Sequence, residues 1–146
     1  MDDLYTDSAK RVMAIAQEQA NYFRHQAIGT EHLLLALTIE DKGVAGQVLK
    51  QAMVTPGDVR REIERLAGYG NLLRQSPSNY LPYSPKAKAV LDETRKQAFL
   101  TGAVRIGTEH FLLALLSDED ILSSRILTSL HVDCKKLRQI LLRKLG

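Results

Sequence analysis

The chain predicts an all-α fold: eight helices, arranged as two pseudo-twofold-related four-helix repeats packed into one domain. Three observations predict it. The 146 residues are 45% hydrophobic yet only 5% aromatic, with no Trp, so the core must be built of aliphatic side chains, which suit packed helices better than a sandwich. Apolar residues recur at helical spacing, as in Ala9, Val12, Met13, Ala16, Ala20 and Phe23. Finally, IGTEHLLLAL at Ile28 to Leu37 returns as IGTEHFLLAL at Ile106 to Leu115. The same 78-residue offset relates Tyr5 to Tyr83, Ala9 to Ala87, Lys10 to Lys88, Val12 to Val90, Ala20 to Ala98, Leu49 to Leu127, Arg65 to Arg143 and Gly68 to Gly146, with no insertion anywhere.

The elements follow in order. A first helix runs from a cap at Thr6 to about His25, roughly 30 Å at 1.5 Å per residue. Its twin opens at Ser84-Pro85, a hydroxyl cap followed by Pro at the first helical position. Gly29-Thr30 breaks the chain and caps a second helix, Glu31 to Ile39, apolar on most sides and therefore central. A short third helix follows Gly43. Thr55-Pro56-Gly57-Asp58 opens a fourth, with Val59, Ile63 and Leu66 on one face, and Gly68 ends it. Repeat one is 1–68, a Gly-, Ser-, Asn- and Pro-bearing linker covers 69–82, and repeat two is 83–146. Four short helices leave an open apolar face, so the copies are expected to close on each other.

Composition removes several function classes. Twenty Lys and Arg against seventeen Asp and Glu, interspersed, make a mildly basic chain with no nucleic-acid signature. The longest apolar runs fall far short of the ~20 residues of a membrane span. A single cysteine and an acidic start, MDDLYTD, point to a cytoplasmic protein. No Gly-Lys dipeptide exists, so there is no phosphate-binding loop and this chain itself should not hydrolyse ATP. Glu-His occurs twice, but helical metal ligands stand at i and i+3 or i+4, and neither His32 nor His110 has such a partner; no metal is expected. The two histidines are read instead as closing hydrogen bonds around their turns, with Glu31 and Glu109 occupying positive helix starts. Cys134, near the start of the last helix, reads as an ordinary thiol, and Lys135, Lys136, Arg138, Arg143 and Lys144 as a solvated face. Thr6 with Lys10, and Ser84 with Lys86 and Lys88, combine free N–H groups, a hydroxyl and cations, the ingredients of either an ordinary cap or an anion site.

The repeated IGTEH-[LF]-L-L-A-L, each copy preceded by a [YF]-[TS]-x-x-A-K type helix start, resembles the Clp N-terminal repeat domain, most closely that of ClpC-type AAA+ unfoldases, the ATP-binding subunits of the Clp protease. The resemblance spans both repeats. It implies a binding module without catalysis or a cofactor of its own. ATP would belong to the ATPase modules that follow in the parent hexamer, which delivers proteins to the Clp peptidase. It implies MecA-like adaptor proteins and phosphoarginine-bearing or unfolded substrates as partners, with Glu31 and Glu109 as pocket acids, Thr6 at one helix start, and Ser84 with Lys88 at the other. Antiparallel packing of the long helices would bring Glu31 to Ser84 and Lys88, and Glu109 to Thr6 and Lys10, in two composite pockets. This chain departs from the family pattern with Ser8 in place of Arg and Ser84 in place of Thr, which leaves Lys10 or Arg11 to compensate. The alternative is a free-standing regulator that binds a Clp complex without ATPase modules; a phosphate-binding loop downstream of Gly146 distinguishes the two.

Overall fold

The apolar stripes predict where the chain buries itself, and the structure, a computed structural model, follows them over residues 4–70 and 80–145. Eight helices are described: α1 (Asp7–Tyr22), α2 (Thr30–Ile39), α3 (Val44–Gln51), α4 (Pro56–Leu66), α5 (Pro85–Leu100), α6 (Thr108–Leu116), α7 (Leu122–Ser129) and α8 (Cys134–Leu145). The predicted 69–82 linker is described only at its ends; 71–79 lies outside the described residues, as does Gly146.

The helix starts are chemically plain. Thr6, Thr55 and Ser84 each accept a backbone N–H three residues ahead, at 3.1 Å. The ends of α1, α3, α4, α5 and α7 follow one pattern, a left-handed residue just past the helix. In α1 the N–H groups of Arg24 and His25 turn back to the carbonyls of Asn21 and Ala20, around a left-handed Arg24 at φ 58°. The first helix therefore stops at Tyr22, not His25 as its periodicity suggested, and is about 24 Å long. Phe23 continues the apolar stripe from the cap position, which is why the pattern outran the helix. Gly102, Met53 and His131 occupy the corresponding left-handed positions after α5, α3 and α7.

Leu33 to Leu37 and Phe111 to Leu115 are wholly buried, so α2 and α6 form the centre, and one apolar cluster contains residues of both copies. Losing such a leucine to alanine costs about 2–5 kcal/mol. On the fourth helix Val59 and Ile63 enter the core, but Leu66, at its last turn, stays 40% exposed.

Every packing between the copies has its counterpart at the 78-residue offset. Helix α2 packs on α7 as α6 packs on α3, α2 meets α5 as α6 meets α1, and α3 meets α8 as α7 meets α4. Hydrogen bonds repeat the reciprocity. The Thr108 hydroxyl accepts the Ala45 N–H at 3.1 Å, and the Thr30 hydroxyl accepts the Ser123 N–H at 3.2 Å. The Gly29-Thr30 pair predicted to cap α2 divides its tasks, as does Gly107-Thr108 at α6. Gly29 and Gly107 hold those cap positions, and the buried hydroxyls cap α7 and α3 of the opposite copy, whose own cap residues Ile121 and Gly43 supply no side-chain acceptor.

Candidate binding site at the repeat boundary

Ile28 and Ile106, β-branched and followed by glycine, leave their helical neighbourhoods in extended form, and each finds an extended partner in the other copy. The Ile106 N–H donates to Leu4 C=O at 2.8 Å, while Ile106 C=O accepts from Thr6 N–H at 2.9 Å. At the other end, Ile28 N–H donates to Pro82 C=O at 2.8 Å and Ile28 C=O accepts from Ser84 N–H at 2.9 Å. Two short parallel bridges, Tyr5 with Ile106 and Tyr83 with Ile28, thus dock the start of each long helix beside the Gly-Thr-Glu-His turn of the opposite repeat.

Within each turn all four residues have a local task. The glycine leaves room for the acid: a Cβ at Gly29 would fall 2.1 Å from Glu31 Oε1, and one at Gly107 the same distance from Glu109 Oε1. The carboxylates accordingly lie back across the first turns of α2 and α6, against the positive helix ends. Burial raises the Glu31 carboxyl above its ordinary value, opposed by its backbone hydrogen bond and by His25. The threonine reaches across the repeat boundary. The histidine closes the turn: Gly29 N–H donates to His32 Nδ1, and Gly107 N–H to His110 Nδ1, both at 2.8 Å.

That bond determines the tautomer. With Nδ1 accepting, a neutral His32 carries its proton on Nε2 and donates it to His25 Nδ1 at 2.8 Å; His25 Nε2 then donates to Gly68 C=O, also at 2.8 Å. In copy two, His110 Nε2 donates to Thr101 Oγ1 at 3.1 Å. Burial, and then the neighbouring His25, push His32 down to about 3, and burial lowers His110 as well.

Sequence spacing overlooked one grouping. His25, Glu31 and His32 bring potential metal-ligating atoms within 4.8 Å of one another, because the Arg24 turn swings His25 back toward α2. Its wiring opposes ligation. A metal-bound imidazole donates through its second nitrogen, whereas the second nitrogen of His32 accepts a backbone N–H.

Of the predicted site residues, Thr6 and Ser84 are half-buried caps, Lys10 and Lys88 are exposed on the first turns of α1 and α5, and Glu31 and Glu109 are half-buried. The backbone bridges join Thr6 to the segment leading into Glu109, and Ser84 to the segment leading into Glu31. Arg11 is paired with two residues of its own copy. Its guanidinium donates to the buried Glu40 at 3.0 Å and to Ser8 Oγ at 3.1 Å. The thiol of Cys134 is raised by burial and by nearby Asp133 and Glu119, which keeps it protonated.

The fold has known counterparts. A family profile described as the Clp repeat (R) N-terminal domain matches residues 4–130. The chain belongs to that family. It is 37% identical over 142 residues to the negative regulator of genetic competence ClpC/MecB of Bacillus subtilis, and 35% identical over 142 residues to the chaperone protein ClpB of Oceanobacillus iheyensis. Each match covers 97% of this chain and 17% of the relative, so the chain spans about a sixth of the length of those proteins. Among solved structures, the N-terminal domain of ClpD from Arabidopsis thaliana superposes with a TM-score of 0.81 at 21% identity, covering 97% of this chain and 94% of that one. The ClpV N-domain in complex with a VipB peptide gives 0.56 at 20% identity, covering 99% and 95%. This Clp N-domain shares the all-α fold with both.

Proposed function

We propose that this Clp N-domain is the adaptor- and substrate-docking module of a ClpC-type ATP-dependent unfoldase, and that it reads phosphoarginine in two composite pockets. One comprises Glu31, Ser84 and Lys88, the other Glu109, Thr6 and Lys10. The observation that carries the reading is the pair of cross-repeat bridges, which set a hydroxyl-capped helix start beside an acid-bearing turn.

The chemistry matches the ligand at both ends. Thr6 and Ser84 accept an N–H through oxygen, so each hydroxyl keeps its own proton for a phosphate oxygen, alongside a lysine and the helix-start N–H groups that the caps do not use, those of Asp7 and Ser8 at α1 and that of Lys86 alone at α5, where Pro85 has none. The carboxylates of Glu31 and Glu109 then take the guanidinium-derived nitrogens. The ClpV N-domain has been solved with a VipB peptide, and the shared fold supports peptide docking here too. MecA-like adaptors and marked or unfolded clients are the partners this reading names, in the cytoplasm, with ATP turned over in the parent's ATPase modules.

Calorimetric titration with free phosphoarginine tests it. Wild type should bind at two sites, Glu31→Ala and Glu109→Ala should each retain one, and the double variant, with unchanged helical content, should retain none. Unaltered affinity in the double variant refutes the assignment.

A further inference from the structure

One groove is filled in copy one and left open in copy two. At the end of α2 the buried Glu40 accepts the Gly43 N–H through Oε1 at 2.8 Å, and Arg11 Nε–H through Oε2 at 3.0 Å. Ser8 Oγ accepts from the same guanidinium at 3.1 Å, so an arginine of the long helix lies across the groove. At the 78-residue offset the acid is Asp118, the serine is Lys86 and the arginine is Ala89. Asp118 keeps the backbone half of the arrangement, its Oδ1 accepting the Asp120 N–H at 2.9 Å. Among the described residues no arginine or lysine pairs with it.

A cleft of about 570 Å³ lies there, between the first half of α5 and the end of α6. Lys86, Ala89 and Glu93 line one side of it, and Asp118, Glu119 and Asp120 the other. The twin positions in copy one, Ser8, Arg11, Ile15, Glu40, Asp41 and Lys42, hold two cations and two acids and are formally neutral. Those of copy two hold one cation and four acids, a formal charge of −3 in a chain of +3. A cleft that has exchanged an arginine for an alanine and gained acids around it is complementary, in volume and in charge, to the group it lost. A metal ion fits less well. A hard cation needs several oxygens converging on one point, whereas among the described residues only His25, Glu31 and His32 bring three candidate ligand atoms within 4.8 Å. Glu93 is further engaged by Gln97, whose side-chain amide donates to its Oε2 at 2.7 Å.

We infer that this cleft takes an unmodified arginine side chain from a partner protein, its guanidinium seated on Asp118 as that of Arg11 is seated on Glu40. Glu93, Glu119 and Asp120 supply the negative potential that attracts it. The planar fork of a guanidinium matches a carboxylate better than an ammonium does, so arginine is favoured over lysine. No residue of the cleft belongs to the proposed phosphoarginine pockets, and the two ask for opposite charge: a phosphate is repelled by these four acids. Either reading therefore stands or falls without the other.

The test is a titration of the isotope-labelled domain with a short synthetic peptide bearing one central arginine, and with counterparts bearing citrulline or phosphoarginine at that position. With the arginine peptide, saturable amide shifts should centre on Glu93 and on Asp118 to Asp120. Citrulline keeps the shape and loses the charge, and should bind there at least about tenfold more weakly. Phosphoarginine should leave these amides unshifted. Ala89→Arg, a change at an exposed position of α5, should fill the cleft from within and abolish the shifts, whereas Ala89→Ser should preserve them. Absence of saturable shifts in the cleft, an arginine response matched by the citrulline or phosphoarginine peptide, or undiminished shifts in Ala89→Arg would overturn the inference.

Discussion

The hydroxyl of Thr108 accepts the backbone N–H of Ala45, 63 positions earlier in the chain, and in doing so caps a helix of the opposite repeat. Thr30 returns the same service to Ser123. The duplicated Gly-Thr-Glu-His thereby has an architectural explanation. Its threonine ties the two copies together, its histidine closes the local turn, and its glycine makes room for the acid.

Replacing either threonine by valine keeps the shape and removes the acceptor. Each variant should lose about 1–2 kcal/mol in urea unfolding, since a buried helix-start N–H is left without a partner, while serine at the same position should restore most of it. A loss confined to one copy would show that the two caps are not equivalent.

Ser123 carries the opposite problem. Its hydroxyl is fully buried and has no hydrogen-bond partner among the described residues, whereas the equivalent residue of copy one is Ala45. Ser123→Ala should therefore stabilise the domain by about 1 kcal/mol, read as a rise in the unfolding midpoint.

Met53 holds a left-handed conformation (φ 65°) at the end of α3 with its side chain 82% exposed. Such a backbone costs a side-chain-bearing residue roughly 1–2 kcal/mol, partly offset by the greater chain entropy of glycine. Met53→Gly should raise stability by about 0.5–1 kcal/mol in thermal unfolding, and Met53→Val should lower it.

Stability should depend on pH through His32. Its folded value is depressed to about 3, so its contribution is fully present above the unfolded value of 6.5 and is lost as pH falls toward the folded one. Below about pH 6.5 the unfolded chain binds a proton that the folded chain refuses, a slope of up to about 1.4 kcal/mol per pH unit. Glu31 works the other way: its value is raised above 4.5, so its contribution is full below 4.5 and fades as pH rises through the folded value. Urea titrations from about pH 7.5 to about pH 5 should show stability falling with acid, and falling less in His32→Gln, whose amide oxygen can still accept the Gly29 N–H.

Much of this was legible because it is local. The Thr6, Thr55 and Ser84 caps follow from a hydroxyl at the head of an apolar stripe, and the central place of α2 and α6 from runs apolar on every side. The end of α1 was misplaced because Phe23 and His25 still serve the core and the turn after the helix has stopped. The pairing of Arg11 with the buried Glu40, 29 positions away, left no mark in either residue's neighbours.

By itself the sequence determined the eight helices, their duplication and the residues that face inward, since periodicity and capping depend on neighbours a few positions apart. Only the tertiary structure decided that Thr30 and Thr108 cap the opposite repeat and that His25 is tied to the Gly68 carbonyl. Those outcomes depend on backbone groups that find partners dozens of residues away, and unsatisfied N–H and C=O groups carry no side-chain signature from which such a partner could be read.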